Sequence, residues 1–148
     1  MKPPAMRDVP ARRLLASYPW NVVLDTRFTD MDINRHLNNV AVARLYEEGR
    51  VRFNRGLWGA FGETDRPHYL IGHVAIDYLG EGQYPAPVTV AYAVGSIGGK
   101  SYRTAMALFQ DERCIGLSDT VMVFRGPDGA APIPDRLRAI LGEWVMRG

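Results

Sequence analysis

One run in the first half of this chain has a long helical repeat, and everything after it must be able to bury that helix. Val42, Leu45, Tyr46, Gly49 and Phe53 fall at i, i+3, i+4, i+7 and i+11, the spacing of a single helical face. Arg44, Glu48, Arg52 and Arg55 form the opposite stripe, which the pattern assigns to solvent, and Glu47 with Arg50 makes an i,i+3 pair between the two. Asn38-Asn39 marks the start, because a short amide side chain can accept a bond from the free N–H groups of a first turn. The run ends near Gly56 to Gly62, with Leu57, Trp58 and Phe61 expected as an apolar cap and a polar loop from Glu63 to Pro67.

The second half of the chain has the pattern of strands. Residues 68–79 read as a first one with Gly72 as a bulge, and residues 88–97 as a second, with Val88, Val90, Tyr92 and Val94 on one face. Pro85 and Pro87 break the chain between them, since proline cannot sit in a central strand. Gly98-Gly99 turns the chain into a strand over 101–110, and Asp111-Glu-Arg113 joins that to 114–124. Gly126-Pro-Asp-Gly129 ends the sheet, and Pro134 opens a last helix over 135–146 with Leu137, Ile140, Leu141 and Trp144 on one face. Residues 20–28 read as a strand ahead of the long helix. The order strand, helix, four strands, helix predicts an α+β domain over residues 18–148, an antiparallel sheet wrapped round one central helix. Residues 1–17, with Pro3, Pro4 and Pro10, read as a flexible arm with one helical turn at 11–16.

Composition excludes several classes. With 47% hydrophobic and 23% charged residues over 148 positions, the chain suits one soluble domain of the common size of roughly 100–150 residues. A net charge of +2 with scattered arginines does not argue for nucleic acid. No apolar run nears the roughly 20 residues of a membrane span, and Leu14-Leu15-Ala16 is shorter than a secretory core of about 7–15 residues. Cys114 is alone, which rules out an intrachain disulfide and makes the cytoplasm the expected setting; in its apolar strand it reads as a small core residue. One Cys and three His residues argue against structural zinc. The segment Gly95-Ser-Ile-Gly-Gly-Lys-Ser101 imitates a phosphate-binding loop, but Val94 stands where that pattern needs glycine.

The chemistry is concentrated just before the long helix. Asp30, Asp32, Asn34, His36 and Asn38 recur at every second position, so on extended backbone they share one side while Met31, Ile33 and Leu37 anchor the other in a core. They lead into a helix N-terminus, which carries unpaired N–H donors and a partial positive charge. A carboxylate facing such donors can cleave a carbonyl derivative: the acid attacks or activates water, and the donors hold the oxyanion. Asp32 is the candidate base or nucleophile. His36 would orient Asp32 or water, and Asn34 would position the carbonyl or close an Asx turn. The backbone N–H groups of Asn39 and Val40 would receive the oxyanion. Asp30 reads as structural, Asn38 or Asn39 as a helix cap, and Glu47 as the partner of Arg50 or of neighbouring backbone. His73 reads as a core or interface histidine.

The segment Asp30-Met-Asp-Ile-Asn-Arg-His-Leu-Asn-Asn39 resembles the Asp-x-Asp-x-x-x-His-x-Asn-Asn signature of hot-dog-fold thioesterases, and Glu47-Glu-Gly-Arg50 resembles their Glu-x-Ala-Arg with Gly49 in place of Ala. Asp32-Ile-Asn34-Arg-His36 is similar to acyl-ACP thioesterases, where the corresponding Asp, Asn and His form the catalytic set, and the wider likeness extends to the 4-hydroxybenzoyl-CoA thioesterase type. Gly98-Gly-Lys-Ser101 is similar to the Gly-Arg-Ser turn of such enzymes, which implies Lys100 and Ser101 as substrate-binding residues, with Arg103 or Arg125 as further contacts to coenzyme A phosphates. The resemblance implies hydrolysis of acyl-CoA or acyl-ACP to the free acid and thiol, without metal or redox cofactor, coenzyme A or carrier pantetheine being part of the substrate. It implies a homodimer whose partners complete each other's sites, or a tetramer of such dimers, and acyl carrier protein as one partner. Val42 stands where many relatives carry Tyr, a departure expected to reshape the acyl pocket. A non-catalytic acyl-thioester binding protein and a hot-dog dehydratase are the rival readings.

Overall fold

The computed structural model describes residues 4–59 and 67–147. The apolar cap read at Phe61 and most of the polar loop from Glu63 lie outside them. Strand β1 (Trp20–Leu24) is followed by α1 (Asn39–Trp58), then β2 (Tyr69–Tyr78), β3 (Val88–Ile97), β4 (Ser101–Gln110), β5 (Arg113–Gly126), the short β6 (Gly129–Ala130) and α2 (Asp135–Gly142). The strands form one antiparallel sheet in the order β1-β3-β4-β5-β2, with β6 on β5. The register slips between Ile71 and His73, so the bulge expected at Gly72 is present.

The sheet curls round α1. Leu45, Tyr46 and Phe53 from the predicted apolar face meet Val88, Val90, Tyr92, Tyr102, Met106 and Leu108 in one core. Phe53 stacks on Tyr92 at 3.9 Å between ring centroids, with Trp20 and Trp144 edge-on. Leu137 and Leu141 of α2 join the same core. Helix α2 is shorter than expected from its pattern: after Gly142 the chain makes a turn at Glu143 and Trp144, and Val145 then bridges Val94 of β3. β1 stops at Leu24, because the Phe28–Asp30 segment closes a 3-10 turn instead of continuing the strand.

The outer face of the sheet has a floor of Ala91, Ala93, Ala105 and Ala107. The segment read as a loose arm lies on it in three single 3-10 turns, Met6–Asp8, Pro10–Arg13 and Leu15–Ser17, the second begun by proline at a position that needs no N–H. Arg12 is the anchor. Its guanidinium donates to Asp119 Oδ1 at 2.8 Å and to the carbonyl of Ser118 at 3.2 Å. The Tyr18 hydroxyl donates to the Arg12 carbonyl at 2.6 Å. Burial alone would lower the Arg12 pKa; Asp119 and Tyr18 outweigh it and raise it. The arm offsets its ordering entropy with this buried, paired charge, which its proline content did not reveal.

At the other edge, β2 has no neighbour on its outer side and exposes Leu70, Ile71, His73 and Val74. Among the described residues no helix is long and apolar enough to cross a membrane.

Candidate active site

Residues 31–37 do not run extended. Met31 and Leu37 bridge each other, and the residues between them form a tight loop in which Arg35 takes φ +63°. The cause is Asp32 itself. Its Oδ1 accepts the N–H of Asn34 at 2.8 Å and, more weakly, that of His36 at 3.4 Å, an Asx turn that competes with strand geometry. The alternating residues therefore do not share a face. Leu37 is buried as expected, but Ile33 is 99% exposed at the loop, and Asn34 is exposed beside it.

Asp30, one turn earlier, has the opposite environment. It is 3% exposed, its Oδ2 accepts the N–H of Arg27 at 2.8 Å and the guanidinium of Arg44 at 2.9 Å, and Arg27 also approaches Oδ1. This is the structural role expected of it, and it draws Arg44 out of the solvated stripe. The Asp30 carbonyl receives the N–H of Asn38 at 2.9 Å. Asn38 then caps α1: its Oδ1 accepts the N–H of Ala41 at 2.7 Å and its carbonyl that of Val42 at 3.0 Å. The N–H groups of Asn39 and Val40 keep no acceptor among the described residues, and Asn39 and Val40 are both exposed at this end of the helix.

The loop is held against residues 80–87. Leu37 donates its N–H to the Gly82 carbonyl at 2.8 Å, and a Cβ on Gly82 would lie 2.7 Å from Leu37, so a side chain there would push the Leu37 and Ile115 methyls aside. Gln110, buried at the end of β4, fixes the same segment: it accepts the N–H of Gln83 and donates to the carbonyls of Gln83 and Ala86, at 2.8–3.0 Å. Two consequences were not visible in the sequence. Glu81 faces His36, with Nε2 3.0 Å from its Oε2. Tyr84 meets Phe28 edge-on, and these two with Met31, Ile33, Gln83 and Arg35 enclose a groove of about 830 Å³ that Asp32 also lines. Residues 80–87 showed only as a break between strands, and contact with a loop some 45 positions away leaves no local pattern.

Lys100 and Ser101 sit at the far end of the sheet. Their turn joins β3 to β4, whereas the groove adjoins the start of β3 and the end of β4, a strand length of about 30 Å away. Arg138 of α2 clamps the turn through the Gly98 carbonyl at 2.9 Å. Within one chain they are not brought to Asp32. Glu47 and Arg50 form no ion pair either; Arg50 turns inward and donates to the Thr120 hydroxyl at 3.3 Å. Among the described residues no three of His, Cys, Asp and Glu gather as metal ligands.

Several solved structures share this architecture. A predicted thioesterase from Bacillus stearothermophilus is 24% identical with TM-score 0.78, over 87% of this chain and 98% of that one. A thioesterase superfamily protein from Jannaschia is 22% identical with TM-score 0.74, over 95% and 94%. A thioesterase from Thermus thermophilus, complexed with coenzyme A and Zn, is 22% identical with TM-score 0.73, over 84% and 98%. No curated protein matches the chain. Identities this low establish the fold, a hot-dog sheet round α1. The family rests on the sequence itself: the model of the thioesterase-like superfamily matches residues 26–141, from the end of β1 through α2, and the chain belongs to that superfamily.

Proposed function

We propose that this protein hydrolyses acyl thioesters of coenzyme A or of a carrier-bound pantetheine to the acid and free thiol. The observation that carries the reading is Asp32 in the wall of the groove, one loop away from the two acceptor-free N–H groups that open α1. Asp32 Oδ1 is held by the loop, which orients the carboxylate; Oδ2 has no partner among the described residues. Asp32 takes the proton of a water that adds to the thioester carbon, the N–H groups of Asn39 and Val40 hold the oxyanion, and the departing thiolate recovers the proton. His36, steadied by Glu81, stands next to this path and Asn34 at the loop tip. The reading needs no metal or redox cofactor.

A second copy completes the site in this reading. An edge strand of ten residues exposing Leu70, Ile71 and Val74 invites pairing. Antiparallel pairing of β2 with β2 about a two-fold axis turns one protomer end for end, which moves the partner's Lys100 and the partner's Ser101 to the end that holds Asp32. Acyl carrier protein remains one candidate carrier.

The test is thiol release from a panel of acyl-CoA and acyl-ACP substrates. Asp32→Asn is expected to lose about a thousandfold in turnover while keeping the fold. Normal turnover by folded Asp32→Asn removes Asp32 from the mechanism, and tight binding without thiol release favours a carrier or sensor of acyl thioesters.

A further inference from the structure

Two charged side chains line the groove, Asp32 and Arg35. Asp32 is the proposed base, whereas Arg35 has no task within the chain. Its guanidinium has no hydrogen-bond or ion-pair partner among the described residues, although the nearby Arg27 and Arg44 both approach Asp30. Its backbone is also costly. At φ +63° Arg35 holds an L-residue in the left-handed region that glycine adopts freely. The turn imposes this conformation: the Arg35 N–H closes back on the Asp32 carbonyl at 3.0 Å, and Asp32 Oδ1 takes the N–H groups on either side of it. A strained position that carries a long, unpaired cation where glycine would be free points to a use for the cation.

The rest of the groove is amphipathic. Phe28, Ile33 and Tyr84 present exposed apolar surface, and Gln83 adds an amide. Asp32 and Arg35 are exposed as well, so the groove is open to water. An acyl tail would stay partly wet there and gain little. A pantetheine arm suits such a groove better, because it alternates amides with methylenes, carries geminal methyls and ends in a phosphate. With the thioester carbon at Asp32, that phosphate lies roughly 15 Å away when the arm is extended. A side chain that meets it has to be long and has to stand at the exposed mouth, and Arg35 does both.

We propose that the groove seats the pantetheine arm of the substrate and that Arg35 receives its phosphate, the anion that coenzyme A and a phosphopantetheine-bearing carrier have in common. The proposal rests on the thioesterase reading and names the part of the substrate that the groove recognises. A guanidinium matches a phosphate with two parallel N–H bonds. The contact is remote from the reacting carbon and equal in ground and transition states, so it lowers KM and leaves kcat alone.

The experiment measures thiol release from one acyl group carried on phosphopantetheine and on pantetheine, which differ only in the phosphate, and from the same acyl group on coenzyme A and on acyl carrier protein. The intact protein is compared with Arg35→Gly, which suits the left-handed backbone and is expected to fold, and with Arg35→Lys. The intact protein should show a KM about fivefold lower for the phosphorylated member of the pair at equal kcat, as an exposed charge contact allows. Arg35→Lys keeps part of that difference. Arg35→Gly removes it and raises KM for acyl-CoA and acyl-ACP alike. Equal KM values for the pair in the intact protein, or a difference that survives in Arg35→Gly, overturn the proposal and leave hydrolysis standing. A loss confined to acyl-CoA, with the phosphopantetheine pair unaltered, assigns Arg35 to the nucleotide and also overturns it. If no thioester is cleaved, the thioesterase reading has failed. Calorimetric titration with free phosphopantetheine and pantetheine then decides: selective binding of the first that Arg35→Gly abolishes supports the subsite, and equal binding overturns it.

Discussion

The hydroxyl of Tyr46 is fully buried in the core and has no hydrogen-bond partner among the described residues. A Cβ added at Gly116 would lie 2.7 Å from that oxygen, so the strand approaches it with backbone alone. Burial raises its pKa well above the ordinary tyrosine value. A buried hydroxyl without a partner costs roughly 1–3 kcal/mol. Tyr46→Phe is therefore expected to raise stability by about 1 kcal/mol or more, read as a higher urea midpoint at unchanged slope. A lowered midpoint would show that the hydroxyl is satisfied. At this scale the sequence was informative where a residue acts on its own neighbourhood. Asn38 as a cap and Asp30 as a structural acid follow from local chemistry; the Asx turn is present too, but the Asp32 side chain makes it and not that of Asn34. Arg50 and Glu81 were not legible, because each is defined by a partner on a distant strand or loop.

Between elements, the tightest approach is α1 on β3. A Cβ on Gly49 would lie 2.6 Å from Val90 Cγ1, which explains why the Glu-x-Ala-Arg pattern has glycine here. Helix propensity alone would favour alanine by about 1 kcal/mol, but the clash outweighs it. Gly49→Ala is expected to lower stability by about 1–3 kcal/mol, and Val90→Ala added to it should return part of that loss, a coupling that a double-mutant cycle measures. Additive effects would mean the helix shifts freely. The groove wall depends on another inter-element contact. Gln110→Leu removes the three bonds that fix residues 83–86. It should cost about 2–4 kcal/mol and reduce thiol release at temperatures where the protein is still folded. Activity equal to the intact protein's would show that the segment holds its shape unaided. The strands and both helix starts were readable from periodicity and capping. The ends of β1 and α2 were not, because their continuation is decided by a 3-10 turn and by the Val94–Val145 bridge.

For the molecule as a whole, four buried tyrosines and the half-buried Tyr69 set the behaviour at high pH. Burial raises Tyr18 to about 12, and it raises Tyr46, Tyr69, Tyr92 and Tyr102 as well. A phenol whose pKa is higher in the folded chain keeps its proton after the unfolded chain has lost it. Above pH 10 the unfolded state thus binds fewer protons, and stability falls as pH rises toward 12, by about 1.4 kcal/mol per unit for each such group. Chemical denaturation between pH 9 and 12 should show this decline, with a shallower slope for Tyr18→Phe; a flat profile would mean the phenols ionise in place. The hot-dog architecture was legible because one helix and a run of strands leave few ways to bury both. The arm was not, since the contact that holds it joins Arg12 to Asp119 across most of the chain.

That arm ends beside the last described residue: the N–H of Arg147 donates to the Ser17 carbonyl at 2.8 Å. Segments this close in space allow a polypeptide to be re-threaded. A circular permutant that links Arg147 to Tyr18 by a short glycine bridge, drops the arm and opens at the exposed Pro127–Asp128 tip should regain the same circular dichroism spectrum at reduced stability, because Asp119 loses Arg12. The birth order of the strands would then be an accident of ancestry, with no part in deciding the final shape.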